Sequence, residues 1–237
     1  MGTVNIVFPV KNDETRLIRG IRRTSDFCEE YFRGRYQITI ADCGSADGTE
    51  RMSRAIAAGC ANVEYIPKLE GCPVMEAVLL RNTCDIIGFL NLDLSAGLEH
   101  LLYADQMFED SVIEAVNGSR FRRFSILKVQ KKFWRTACRV RRAARFLFSF
   151  QCSDPFCPFK LFRRETAEVL YPLCCRGPFW LECAELLFYT EQSGVPWREL
   201  TVDWINPSLT SKELCAEKKE FRKGFVRFWL LLRKWYR

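Results

Sequence analysis

Apolar and polar positions alternate along the first ninety or so residues between two periods. Val4 to Val10 (VNIVFPV) is a short apolar run, as a strand buried on both faces would be. Glu14 to Phe32 follows with helical spacing, Leu17, Ile18 and Ile21 on its inner side. YQITIAD, Tyr36 to Asp42, is a second strand, and Thr49 to Ala58 a helix stopped by Gly59. Asn62 to Ile66, Met75 to Asn82 and Asp85 to Leu90 read as strand, helix and strand. A βαβαβαβ order implies an α/β, Rossmann-like, mostly parallel central sheet flanked by helices, whose ligands lie beyond the carboxyl ends of the strands.

After Leu98 the pattern changes. Leu101 to Met107 predicts a helix, Val112 to Asn117 a strand, and Phe133 to Phe150 a long basic helix. Then come the turn-rich CSDPFCPF, a strand at Lys160 to Arg163, a helix at Leu181 to Ser193, a short strand around Leu200 to Trp204, and a basic aromatic tail.

Composition narrows the partners. The net charge of +7 is concentrated in Arg120 to Arg145 and Lys218 to Arg237, which points to an anionic partner. Twelve cysteines without an apolar leader read as thiols in a reducing compartment, so the expected location is cytoplasmic. The single histidine, His100, argues against a histidine-based metal site. The longest uncharged apolar run near the end, Phe228 to Leu232, is far short of the roughly 20 residues a membrane span needs.

Candidate chemistry sits at the strand ends. Asp42 closes the second strand, placed to accept hydrogen bonds from a base or ribose or to serve the next turn. Asp47 and Glu50 have the spacing of a helix capping box. In NLDLS, Asn91, Asp93 and Ser95 alternate, so an extended chain would turn all three to one side, fit for a hard cation bridging a diphosphate or for a solvated loop.

FPVKNDE (Phe8 to Glu14), ADCGSADGT (Ala41 to Thr49), NLDLS, NGSRF (Asn117 to Phe121), DPFCPFKLFRRE (Asp154 to Glu165), AELLFYTEQSG (Ala184 to Gly194) and ELTVDWINPSLTSK (Glu199 to Lys212) occur in the order found in family 2 glycosyltransferases with the GT-A fold. More narrowly, the chain resembles the polyprenyl-phosphate sugar synthases, such as dolichyl-phosphate mannose and glucose synthases. That resemblance implies a GT-A domain over 1–212 and a basic amphipathic C-terminal helix over 213–237. It implies inverting transfer of a hexose from a GDP-mannose or UDP-glucose type donor to a lipid phosphate. Pro9, Asn12, Glu14 and Asp42 would line the nucleoside pocket, Asn91, Asp93 and Ser95 would hold Mg²⁺ or Mn²⁺, and Arg120 and Lys160 would grip phosphates, with Asp93, Arg120 and Lys160 carrying catalysis.

The chain departs from that pattern where Asn91 replaces the first metal aspartate, where Pro158 stands for a glycine, and where a glycine-rich segment is reduced to Gly71. A catalytically silent GT-A domain and a non-lipid acceptor therefore stay open as alternatives. The basic helix and the tail, rich in Phe and Trp, are expected to touch an acidic membrane surface as interface helices. No nucleic-acid recognition motif accompanies the charge, and the oligomeric state has no signature.

Overall fold

The computed structural model describes residues 2–70, 72–128, 131–174 and 179–205. The expected domain boundary at 212, the C-terminal helix and Gly71 lie outside the described residues. β1 (Val4–Val10), β2 (Tyr36–Asp42), β3 (Val63–Ile66) and β4 (Ile86–Phe89) alternate with α1 (Glu14–Tyr31), α2 (Thr49–Gly59) and α3 (Val74–Arg81). Then follow α4 (His100–Met107), β5 (Ala115–Ser119), β6 (Leu127–Lys128), α5 (Lys131–Phe148), β7 (Lys160–Arg163), α6 (Arg164–Leu170), α7 (Phe179–Gln192), β8 (Trp197–Thr201) and β9 (Trp204–Ile205).

A seven-stranded sheet runs β3-β2-β1-β4-β7-β5-β8. β1 to β4 are mutually parallel where they pair, whereas β7 is antiparallel to both β4 and β5. A small second sheet pairs β6 with β9. Period-two alternation on β1 separates two cores: Val4, Ile6, Phe8 and Val10 pack with Leu17 and Ile21 of α1, and Val7 packs with Met75, Val78 and Leu187 across the sheet. Ile18 departs from the expectation. It is 57% exposed while Leu17 and Ile21 are buried, because it stands about 100° round the helix from Leu17.

Burial of polar groups fixes the register of the first half. Thr39 Oγ1 donates to Asn5 Oδ1 at 2.9 Å, Asn5 Nδ2 to Asn82 Oδ1 at 3.0 Å, and Asn82 Nδ2 to the Cys84 carbonyl at 2.9 Å. The chain of donors ties β2, β1 and the approach to β4, leaving each buried amide satisfied. Among the described residues no helix is long and apolar enough to cross a membrane.

Candidate functional site

β2 and β4 flank β1 in the parallel half of the sheet, so Asp42 and the Asn91–Asp93 segment leave the same sheet edge. One strand lies between them, a separation of about 10 Å. Pro9 is half-buried opposite Ala41, near the end of β1. The crevice between β1 and β4 is where the chain order reverses, the place where open α/β sheets bind ligands.

Two loops beside this edge are laced together. Asn12 has φ +58°, a left-handed conformation that asparagine tolerates. Its Oδ1 accepts from the Ala46 amide at 2.8 Å, and its own amide donates to Ser45 Oγ at 3.0 Å. Glu14 Oε2 accepts from the Gly48 amide at 3.2 Å. A Cβ on Gly48 would stand 2.1 Å from the Glu14 carboxylate, so a larger residue there would push Glu14 aside and break this bond. The capping box between Asp47 and Glu50 is not formed. Asp47 Oδ1 accepts from the Thr49 amide at 3.0 Å, and Glu50 pairs with Arg54 one turn along at 2.9 Å.

Asp42 is buried and heavily engaged. Oδ1 accepts from the Gly44 and Ser45 amides, each at 2.8 Å, and Oδ2 accepts from the Tyr65 hydroxyl at 3.2 Å. The neighbouring thiol of Cys43 is pushed up to about 12 by burial, reinforced by the charges of Asp42 and Glu182.

Asn91, Asp93 and Ser95 do not share one face. The Leu94 amide donates to the Asn91 carbonyl at 3.0 Å and Leu94 has φ +53°, so the segment is a turn and not an extended strand. Asp93 Oδ1 accepts from the Ser95 amide at 3.0 Å. Ser95 Oγ is buried with no hydrogen-bond partner among the described residues. Among the described residues no group of three His, Cys, Asp or Glu converges on a point. Hard oxygens from Asn91 and Asp93 suit Mg²⁺ or Mn²⁺, but as a single carboxylate they would need oxygens from a bound diphosphate to complete a shell.

The two basic candidates differ in kind. Arg120 is 8% exposed, and its guanidinium grips Asp154 with Nε to Oδ2 at 2.7 Å and Nη2 to Oδ1 at 3.0 Å. Burial opposes its charge, but Asp154 outweighs burial and raises the guanidinium pKa above its ordinary value. Lys160, at 1% exposure, donates to two neutral oxygens, Asn117 Oδ1 at 2.8 Å and the Cys157 carbonyl at 2.5 Å. Arg120 thus spends its charge on a buried carboxylate inside the protein.

Between these residues runs the loop 151–159, held by side chains that the sequence did not single out. Glu191 of α7 accepts from the Gln151 and Cys152 amides at 2.7 and 3.0 Å, and Glu199 of β8 from the Ser153 amide at 2.7 Å. Burial pushes the Glu191 carboxyl up, against the pull of the two amides. Gly118 permits the loop's approach, since its Cβ would lie 3.0 Å from the Phe159 carbonyl. Glu182, 1% exposed, accepts from the Tyr171 hydroxyl at 3.4 Å. Acidic residues within the mostly apolar α7 were the signal available. Lys68 also escaped notice: its Nζ is 3.2 Å from where a Cβ on Gly44 would stand.

No family model matches the sequence, and no curated protein matches it. Solved structures do. Glucosyl-3-phosphoglycerate synthase of Mycobacterium tuberculosis superposes with a TM-score of 0.65 at 18% identity, covering 95% of this chain and 80% of that one. The same enzyme with Mn²⁺ and UDP-glucose gives 0.61 at 16%, covering 95% and 78%. Its complex with Mn²⁺, UDP and glucosyl-3-phosphoglycerate gives 0.62 at 19%, covering 95% and 79%. At such identities the likeness is one of fold: the chain has the mixed α/β architecture of GT-A glycosyltransferases.

Proposed function

We propose that the protein is a metal-assisted, inverting glycosyltransferase that moves a hexose from a nucleotide sugar to a phosphate acceptor, with a polyprenyl phosphate at a membrane surface as that acceptor. The supporting observation is the placement of Asp42 and Asp93 on one sheet edge beside two interlaced loops. The separation suits a nucleoside at Asp42 and its diphosphate near Asp93. The similar mycobacterial enzyme is described in complex with Mn²⁺ and UDP-glucose, which supports the donor class.

In this reading Asp42 keeps one acceptor position on Oδ2 for a base or ribose donor, its other lone pairs being taken by the loop amides and Tyr65. Asn91 and Asp93 offer oxygens to a divalent cation. When bound, such a cation neutralises charge building on the leaving diphosphate. Lys160, held by Asn117 and the Cys157 carbonyl, is a preorganised donor in a low-dielectric setting, where it acts more strongly than in water. The acceptor phosphate is already anionic and needs no general base. One of its oxygens bonds to the anomeric carbon as the bond to the diphosphate breaks, and the electron pair leaves with the nucleoside diphosphate. The protein's part is alignment, and the laced loops supply it.

Three observations favour other readings. The similar enzyme is also described with phosphoglyceric acid, a soluble phosphate acceptor. Asn91 and the internal engagement of Arg120 are what a silent, nucleotide-binding domain would show. The deciding experiment measures nucleoside diphosphate release from UDP-glucose and GDP-mannose with Mn²⁺, offering dolichyl phosphate, undecaprenyl phosphate or 3-phosphoglycerate in turn. Release with a lipid phosphate supports the proposal. Release with 3-phosphoglycerate alone moves the acceptor to a soluble one, and melting-temperature shifts by nucleotide without any release would establish the silent domain.

A further inference from the structure

Between Phe121 and Ser153 the chain carries no Asp or Glu. In the fold its described exposed residues are basic or apolar for the most part. Arg135, Arg139, Arg142 and Phe146 recur at helical spacing along α5 and all are exposed. Phe146 is 87% exposed and Leu147 beside it 42%, whereas Ala144 and Phe148 on the opposite side are buried in the core. The helix is therefore already packed through one stripe and presents a second, basic and apolar, to the outside.

The segment before it extends that face. Phe121 stacks on Trp134 of α5 with ring centroids 4.4 Å apart, and the Arg141 guanidinium lies 4.3 Å from the Phe121 centroid. Beyond this clasp, Arg122, Arg123, Phe124, Ile126 and Lys128 are all exposed. Phe124, 84% exposed, has φ +77°, a strained conformation that a bulky residue rarely adopts. Its neighbours fix it there: Ser125 Oγ donates to the Val202 carbonyl at 2.5 Å and the Ile126 amide to Asp203 Oδ1 at 2.7 Å. A strained backbone thus holds an aromatic ring out into solvent among arginines.

We infer that this face, Phe124 with the Arg135–Arg139–Arg142–Phe146 stripe of α5, docks on an anionic lipid surface. The arginines meet headgroup phosphates, and Phe124, Ile126, Phe146 and Leu147 enter the boundary beneath them, the division of labour of an interfacial helix. Single-stranded nucleic acid fits less well. It binds by stacking on aromatic faces, whereas this face also exposes aliphatic Ile126 and Leu147, which offer no ring, and Phe121 is already clasped by Trp134 and Arg141. The inference sharpens the membrane contact of the proposed function. It assigns the contact to α5 and the β5–β6 segment, and tests it without any nucleotide, so it stands or falls separately from catalysis.

The test is cosedimentation of the full-length protein, without nucleotide, with vesicles of phosphatidylcholine alone or mixed with phosphatidylserine. Binding to the mixed vesicles is expected, with a fall on the order of tenfold or more for Arg139→Glu/Arg142→Glu and a comparable fall for Phe124→Ser/Phe146→Ser. All four side chains are exposed, so unchanged melting temperatures should accompany the loss. Undiminished binding by both variants overturns the inference. So does a loss confined to Trp229→Ser/Trp235→Ser in the full-length chain, or retention of single-stranded RNA in place of vesicles.

Discussion

Arg120 and Asp154 form a two-point ion pair in the interior, joining the end of β5 to the loop that precedes β7. Removing one partner strands the other as a buried charge. Asp154→Ala should therefore cost about 3–5 kcal/mol of stability. Urea titration would measure it, and a loss below about 1 kcal/mol would show that the pair is solvated in solution.

Asp42→Asn keeps an acceptor oxygen for the loop amides but removes the charge that a base or ribose would meet. Nucleoside diphosphate affinity should drop by about tenfold, as for the loss of one charge-assisted hydrogen bond, with little change in unliganded melting temperature. Calorimetric titration with UDP and GDP checks this. Unaltered affinity for both would move the nucleoside away from β2.

Asn91→Asp adds a second carboxylate to the turn after β4. The Mn²⁺ concentration needed for half-maximal nucleotide binding should fall by about tenfold, since ligand charge count sets the affinity of oxygen-ligated cations. An unchanged midpoint would exclude residue 91 from the metal shell.

Asp85 Oδ2 accepts from the amide and the hydroxyl of Thr3 at 2.8 and 3.0 Å, pinning the start of β1. The Thr3 amide foremost, then its hydroxyl and the Arg164 charge, hold the carboxyl below its ordinary value of 3.8. A depressed carboxylate contributes stability above its unfolded-state pKa and loses it as pH falls through the lower folded one. Melting temperature should drop through that acid window, and Asp85→Asn should flatten the drop. A parallel acid limb in the variant would assign it to other carboxylates.

Thiol reactivity should be strongly graded. Burial, foremost, raises Cys28 and Cys43 to about 12 and Cys157 to about 11, whereas Cys60 is exposed. Among the described cysteines, Cys60 should be alkylated first, because the thiolate is the attacking species. Peptide mapping after brief iodoacetamide treatment would show it, and early modification of Cys43 would signal an open site.

The parallel half of the fold was legible because its signals are local. β1 and β2 match their expected bounds, as does the antiparallel β7, and α1 ends within a residue of its expected stop. Strand-end carboxylates follow from the same reading. What escaped depends on distant partners. The ion pair of Arg120 was not legible because its partner, Asp154, comes much later in the chain. Asn91 to Ser95 looked extended because alternation says nothing about the hydrogen bond that closes a turn. The roles of Glu191 and Glu199 appear only when their carboxylates meet backbone amides of a loop with no periodicity of its own. α6, too, was missed, starting directly after β7 without a break.

The antiparallel insertion of β7 between β4 and β5 bears on how the chain is made. In vectorial synthesis β1 and β4 are made well before β7, so a sheet that pairs them early has one margin with open hydrogen-bonding groups. The segment born in that interval is the one with Phe124 and α5. A ribosome paused there would display a sticky strand edge and a cationic amphipathic helix together, the period of greatest risk for misassociation.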